Sequence, residues 1–457
     1  MDAGSCAPYT GSVMAQRRRC RWLTGALTAG FLALGGCGAR TGLRTPDVPT
    51  DNPGPDVPQR PVELCVEIPP DGGVVTVSLA TRPQVSVADV FFVIDRTGSM
   101  DQEIDNIKAN LSATIVPAIA RTIGDVQFGV ATYGDFPVDP YGDPGDAPFT
   151  LVSPVDRSVA NVQGAVNSIR VSGGGDNPEA LVEALYQVAS GEGYAPWITP
   201  RAGCAAPGRL GYGCLRPNAQ SIFVLIADAP SHNGPTSAHA YSVPAFTNPV
   251  RCPPALPSCA ATRGPHTYVE AVNALLSVRA RVIGINSGSP PFSGRNDLER
   301  LAVDTGAVTS AGAPLVFDIG ADGRDLDTRV VSAVETFTRQ VRFNASARVV
   351  DLDPAQPATA YVRAVRPLSA MPMSQVARIE GSTFVGVVPG TELTFGLDLG
   401  SDMPPPRETL RIPARVQFLA DGRPNLGSRD IILVIPGLDG AGCDGASDAG
   451  AGLDAAM

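Results

Sequence analysis

The sequence predicts an α/β protein whose doubly wound parallel sheet is followed by an antiparallel β-sandwich, and two patterns carry that reading. Continuous apolar runs alternate with helix-length amphipathic segments between residues 87 and 343, as in a parallel sheet covered on both faces. From 344 to 437 the text changes to short alternating, turn-punctuated stretches, the pattern of sandwich strands.

In chain order, VELCVEI and VVTVSLA within 62–86 read as two strands joining the sandwich, and ADVFFVID as a buried strand ending in Asp95. A helical stretch over about 101–122 precedes the strand VQFGVATYG. Helices follow near 158–170 and 177–190, then the strand SIFVLIAD, which ends in Asp228. A helix near 267–277, the strand ARVIGIN, a helix near 294–305 and a long helix near 324–341 complete the region. The sandwich strands are ARVVDL, ATAYVRAV, STFVGVV, TELTFGLDL, RIPARVQFLAD and DIILVIP, and 438–457 is a low-complexity tail.

The 457 residues are long enough for two or three domains. The net charge is −10, with one lysine, Lys108, against 34 arginines. No basic stripe follows the N-terminus, which argues against nucleic acid as a partner. The N-terminal segment 1–37 reads as an export signal: Arg17, Arg18, Arg19 and Arg21 precede a 15-residue apolar stretch, too short for a comfortable membrane span. Met14 is a candidate start. The stretch ends Leu34-Gly35-Gly36-Cys37, which resembles a bacterial lipobox. That resemblance implies acylation of Cys37 and an exported lipoprotein anchored in a membrane, the outer membrane being favoured, facing periplasm or cell surface. Residues 38–61, rich in Pro, Asp and Thr, read as a disordered tether. Six cysteines remain after the leader. An even set in an exported chain suggests disulfides, with Cys204–Cys214, Cys252–Cys259 and Cys65–Cys443 favoured among the 15 pairings. A zinc site is the alternative, but no CxxC spacing supports it.

Ligands of open parallel sheets sit at the carboxyl ends of the strands. Three oxygen-rich clusters fall there: Asp95-Arg96-Thr97-Gly98-Ser99, Gly173-Gly174-Gly175-Asp176-Asn177-Pro178-Glu179, and Asp228. An Asp with hydroxyls two and four residues on can aim three oxygens at one point. Hard oxygen donors with few carboxylates suit Mg²⁺, or Mn²⁺ in its place. Asp139, Asp143 and Asp146, in the Asp/Pro/Gly loop 136–148, read as a solvated acidic loop rather than a further Ca²⁺ site. The insertion Ser231–Pro265 leaves the metal-facing end of its strand, and 191–220 the opposite face. The three histidines are scattered in or beside the insertions, and no GxSxG, HExxH or Cys/His pair suggests an enzyme.

With these clusters in view, residues 87–343 resemble a von Willebrand factor A domain, and Asp95-x-Thr97-x-Ser99 resembles its metal ion-dependent adhesion site. GGGDNPEALVEAL is similar to the integrin β-subunit variety. The resemblance implies that Glu179 joins Asp95, Thr97, Ser99 and Asp228 around the first ion. It also implies that Asp135, Asp176 and the Pro178 carbonyl serve a neighbouring Ca²⁺, and that the sandwich is hybrid-like. Gly174 departs from the usual Asn, and Gln102 and Glu103 from a usual Asp pair, which weakens the second and third sites. The implied function is metal-dependent protein binding or adhesion through an Asp or Glu of an unknown protein ligand. The rival is a structural envelope-assembly protein whose metal only stabilises it.

Overall fold

The computed structural model describes residues 64–69, 72–248, 260–440 and 442–443. The leader with Cys37, the tether, Cys252 and Cys259, and the tail beyond 443 lie outside these residues.

Two strands come first, β1 (Leu64–Glu67) and β2 (Val74–Thr81). The α/β region begins with β3 (Val87–Asp95), α1 (Asp101–Asn110), α2 (Val116–Thr122), β4 (Asp125–Tyr133) and β5 (Thr150–Asp156). It continues with α3 (Val159–Asn167), α4 (Leu181–Ser190), β6 (Gln220–Ala227), α5 (Val243–Thr247) and α6 (Tyr268–Ser277). It closes with β7 (Ala280–Asn286), α7 (Arg295–Asp304), β8 (Val316–Asp318) and α8 (Leu326–Gln340). The sandwich then takes β9 (Phe343–Asp351), β10 (Val362–Met371), β11 (Arg378–Glu380), β12 (Thr383–Val387), β13 (Glu392–Gly400), β14 (Leu410–Ala420) and β15 (Ser428–Ile435).

The α/β sheet runs β5-β4-β3-β6-β7-β8. All its pairings are parallel except β4 with β5. The reading as a doubly wound sheet beside a β-sandwich holds, with an antiparallel edge strand added. That strand carries Pro154, which removes a ladder donor and is tolerated at an edge. The central strands are largely apolar because helices bury both faces. Val90, Phe92 and Ile94 of β3 pack with Ile104, Ile107 and Val334, while Phe91 and Val93 pack with Leu185 and Leu298. Each such side chain is fully buried, and truncating Phe91 or Phe92 to alanine would cost about 3–5 kcal/mol.

The sandwich has a six-stranded sheet, β1-β15-β14-β9-β12-β11, facing a three-stranded one, β10-β13-β2. β1 pairs with β15 and β2 with β13, so chain from both sides of the α/β region builds it. The Cys65–Cys443 disulfide joins β1 to the chain beyond β15. The turn between β14 and β15 docks on the amino ends of β6 and β7: Arg423 donates to the carbonyls of Ala219 (2.5 Å) and Val278 (2.7 Å). Asp421 pairs with Arg281 at 2.9 Å. On the same end Arg216 bonds the buried Asp89 at 2.6 Å, beside the loop closed by Cys204–Cys214. The opposite end of the sheet is left to the loops that carry the acidic clusters.

Candidate metal centre

Asp95 ends β3, Gly134-Asp135 follows β4 and Asp228 follows β6, so three adjacent parallel strands deliver carboxylates to one edge. The chain turns sharply at Gly98–Met100 into α1, which folds the two hydroxyls back over Asp95. Asp95 Oδ1 accepts hydrogen bonds from Thr97 N (2.9 Å) and Thr97 Oγ1 (2.7 Å), and Thr97 Oγ1 lies 3.4 Å from Ser99 Oγ.

The helix anticipated from 177 starts instead at Leu181. Asp176 to Pro178 form bends, and Glu179 is held in extended pairing by its neighbours: Glu179 N donates to the Pro230 carbonyl (2.9 Å) and His232 N to that of Glu179 (2.8 Å). Residue pairing with the loop after β6 has won over helix initiation, and it brings Glu179 to the strand ends.

Asp95 Oδ2, Glu179 Oε2 and Asp228 Oδ1 are all buried without a hydrogen-bond partner. Unpaired buried carboxylate oxygens cost several kcal/mol each unless a cation or proton neutralises them. The electrostatics show the conflict. Burial, then repulsion from Asp228, pushes the Asp95 carboxyl up to about 7. Burial, then Asp95 and Asp135, pushes Glu179 up to about 11. A divalent cation bound among these groups would remove both penalties. Their oxygens, with the Thr97 and Ser99 hydroxyls, are the donor set that hard cations take.

The second expected set behaves differently. Asp135 and Asp176 do approach one another, but around His232, a residue that sequence reasoning had set aside as one of three scattered histidines. One ligand atom each from Asp135, Asp176 and His232 lies within 4.8 Å of the others. His232 Nε2 is 3.2 Å from Asp135 Oδ2 and 3.2 Å from Asp176 Oδ1. Pro178 stands in the bend between Asp176 and Glu179. Burial raises the Asp135 carboxyl, opposed by His232 and Tyr241. Burial also disfavours the His232 imidazolium, but the two carboxylates outweigh it and lift His232 to about 9.

The acidic loop 136–148 is not simply solvated. Asp146 is buried, and its Oδ2 accepts from Asp143 N (2.8 Å) and Gly174 N (3.3 Å), pinning this loop to the glycine-rich one. Gly173 has φ +84°, and a Cβ there would lie 1.5 Å from Asp146 Oδ1. The two loops can meet only because that side chain is absent. Another histidine, His266, is buried against Glu183 of α4 (Nδ1 to Oε2 2.9 Å) and anchors the far end of the insertion after β6.

The family model of the von Willebrand factor A domain matches residues 89–191. The alpha-protein kinase vwkA of Dictyostelium discoideum is 27% identical over 157 residues, which is 34% of this chain and 20% of that protein. This chain therefore matches only about a fifth of that relative's length. Among solved structures, a von Willebrand factor type A protein from Catenulispora acidiphila aligns over 80% of this chain and 71% of its own, at 16% identity and a TM-score of 0.34. The open form of the pilus adhesin SpaC from Lactobacillus rhamnosus GG aligns over 80% of this chain and 45% of its own, at 11% identity and a TM-score of 0.30. On the family-model match, residues 89–191 of this chain are similar to a von Willebrand factor A domain.

Proposed function

We propose that the chain is a divalent-cation-dependent protein-binding module of the integrin β-like variety, displayed on a bacterial envelope through a lipid on Cys37. The observation that carries the metal-dependent part is the trio of buried, unpartnered oxygens on Asp95, Glu179 and Asp228 at the carboxyl ends of adjacent strands. Asp95, Thr97, Ser99, Glu179 and Asp228 would hold Mg²⁺, or Mn²⁺ in its place. When bound, the cation supplies an electrophilic position that an Asp or Glu of a protein partner can fill. The residues of this chain do the rest. Thr97 orients Asp95 by two hydrogen bonds to one oxygen and leaves the other oxygen facing the site. Asp146 holds the loop 136–148 and the glycine-rich loop beside that edge, where they discriminate among partners. The leader and lipobox motif support the envelope setting, and the DNPE motif supports the integrin β-like variety.

The test is affinity capture from a membrane-envelope extract in Mg²⁺ and in chelator, with wild type and Asp95→Ala. The expected result is a partner retained by wild type in Mg²⁺ and lost in the other three conditions. Capture unchanged by chelator and by Asp95→Ala contradicts the proposal. If chelation only lowers the melting temperature, with no partner gained or lost, the ion is structural.

A further inference from the structure

The second acidic cluster does not have the make-up of a calcium site. Asp135 Oδ1 is doubly committed, accepting from Phe136 N (2.6 Å) and from the Tyr241 hydroxyl. Its other oxygen, Oδ2, is fully buried, accepts no hydrogen bond and points at His232 Nε2. His232 Nδ1 lies 2.7 Å from the His239 carbonyl. A carbonyl oxygen can only accept, so Nδ1 must carry a proton, and in neutral imidazole Nε2 is then a lone pair. That lone pair lies 3.2 Å from a carboxylate oxygen on each side, Asp135 Oδ2 and Asp176 Oδ1. Three acceptors converging on one point require a cation between them, either the Nε2 proton or a metal ion.

The surroundings favour a built metal shell. A histidine that ligates metal through one nitrogen characteristically gives its other N–H to a backbone carbonyl, and a ligating carboxylate is itself hydrogen-bonded. Both conditions are met here, by His239 and by Tyr241 with Phe136. The ring is further fixed by stacking on Tyr241 (centroids 4.2 Å apart) and by the edge of Tyr141 (5.0 Å). With bonds of about 2.1 Å, ligand atoms 3.2 Å apart subtend about 100° at an ion. That angle lies between the octahedral and tetrahedral values.

The geometry points to a mixed-donor site in which Asp135, Asp176 and His232 bind a borderline transition-metal dication of the Zn²⁺ kind, rather than the Ca²⁺ implied by the sequence resemblance. Imidazole nitrogen is a donor suited to zinc and its neighbours, whereas Ca²⁺ takes oxygen. The inference is independent of the Asp95 site, since it uses none of that site's ligands.

The test is calorimetric titration of the full chain carrying Asp95→Ala with Zn²⁺, in excess Mg²⁺ and Ca²⁺. One tight equivalent of Zn²⁺ is expected, not displaced by Ca²⁺. It should be lost on adding His232→Gln and weakened by about tenfold or more on adding Asp176→Asn. Asp176 is one-third exposed, so that variant keeps the fold even if the His232 variant does not. Zinc held by thiols elsewhere would be unchanged by both substitutions. Zn²⁺ binding equally tight with either substitution in a folded chain, no tight Zn²⁺ equivalent at all, or displacement by equimolar Ca²⁺ would overturn the inference. Loss of partner capture in Asp95→Ala bears only on the first site, so the two claims fail separately.

Discussion

Replacing Asp95 by Asn should stabilise the metal-free protein, although it alters a fully buried residue at the end of β3. Asp95 is fully buried, and burial with the Asp228 charge lifts its carboxyl from 3.8 to about 7. Keeping it ionised at about pH 8 then costs on the order of 4 kcal/mol relative to the unfolded chain. Asparagine keeps an oxygen for Thr97 N and Thr97 Oγ1 and turns an NH₂ toward the carboxylates of Asp228 and Glu179. Allowing for imperfect hydrogen bonds, the net gain in chelator is about 1–4 kcal/mol, or about 3–10 °C in melting temperature. Saturating Mg²⁺ should remove most or all of that advantage. At a hundredfold excess over its dissociation constant an ion bound only by the native state adds about 2.7 kcal/mol, and Asp95→Asn forgoes it. Scanning calorimetry of both proteins in chelator and in Mg²⁺ measures this. An Asp95→Asn protein less stable than wild type in chelator would show that burial of the Asp95 charge does not destabilise the metal-free fold, and one equally stabilised by Mg²⁺ would show that this charge does not hold the ion.

Three further outcomes follow from the same structure. In chelator, wild type should lose stability as pH rises from about 4 to 7, because the unfolded Asp95 releases its proton near 3.8 while the folded one holds it to about 7; urea midpoints that are flat or rise across that window would contradict this. Arg216→Leu leaves Asp89 buried without its partner and should cost about 3–5 kcal/mol at neutral pH. Part of that should return near pH 5, since burial already raises Asp89 and removing Arg216 raises it more; denaturant melts at the two pH values check it. Gly173→Ala must displace Asp146, whereas Gly145→Ala, at φ +108° with nothing within 4 Å, adds backbone strain alone. The first should weaken Mg²⁺ stabilisation well beyond the second, as read from melting shifts over a Mg²⁺ titration.

Much of this architecture is legible in the chain because burial on both sides writes itself as continuous apolar text. ADVFFVID and SIFVLIAD place Asp95 and Asp228 at strand ends without further information, and hydroxyls at fixed offsets mark the first loop. Other elements leave weaker traces. β5 carries a proline and a polar mix that suits an edge strand, and β8 has only three residues. The start of α4 is set by pairing of Glu179 with the loop after β6, a tertiary effect that local helix signals cannot register. His232 leaves little trace of its role in the sequence because its partners lie 97 and 56 residues away, and no motif spans them. Its position four residues after Asp228, on the metal-facing side of the sheet, was the one available signal. Asp146 escaped for a related reason: an acidic residue among Pro and Gly looks solvated until its loop is seen folded onto Gly173 and Gly174.

The most direct test of the account is an anomalous difference map from crystals of this chain soaked in Mn²⁺. A peak is expected among the oxygens of Asp95, Thr97, Ser99, Glu179 and Asp228, absent in Asp95→Ala crystals treated alike. A map with no peak there in wild type, at Mn²⁺ concentrations that support partner binding, would contradict the claim that these residues form a cation-binding site.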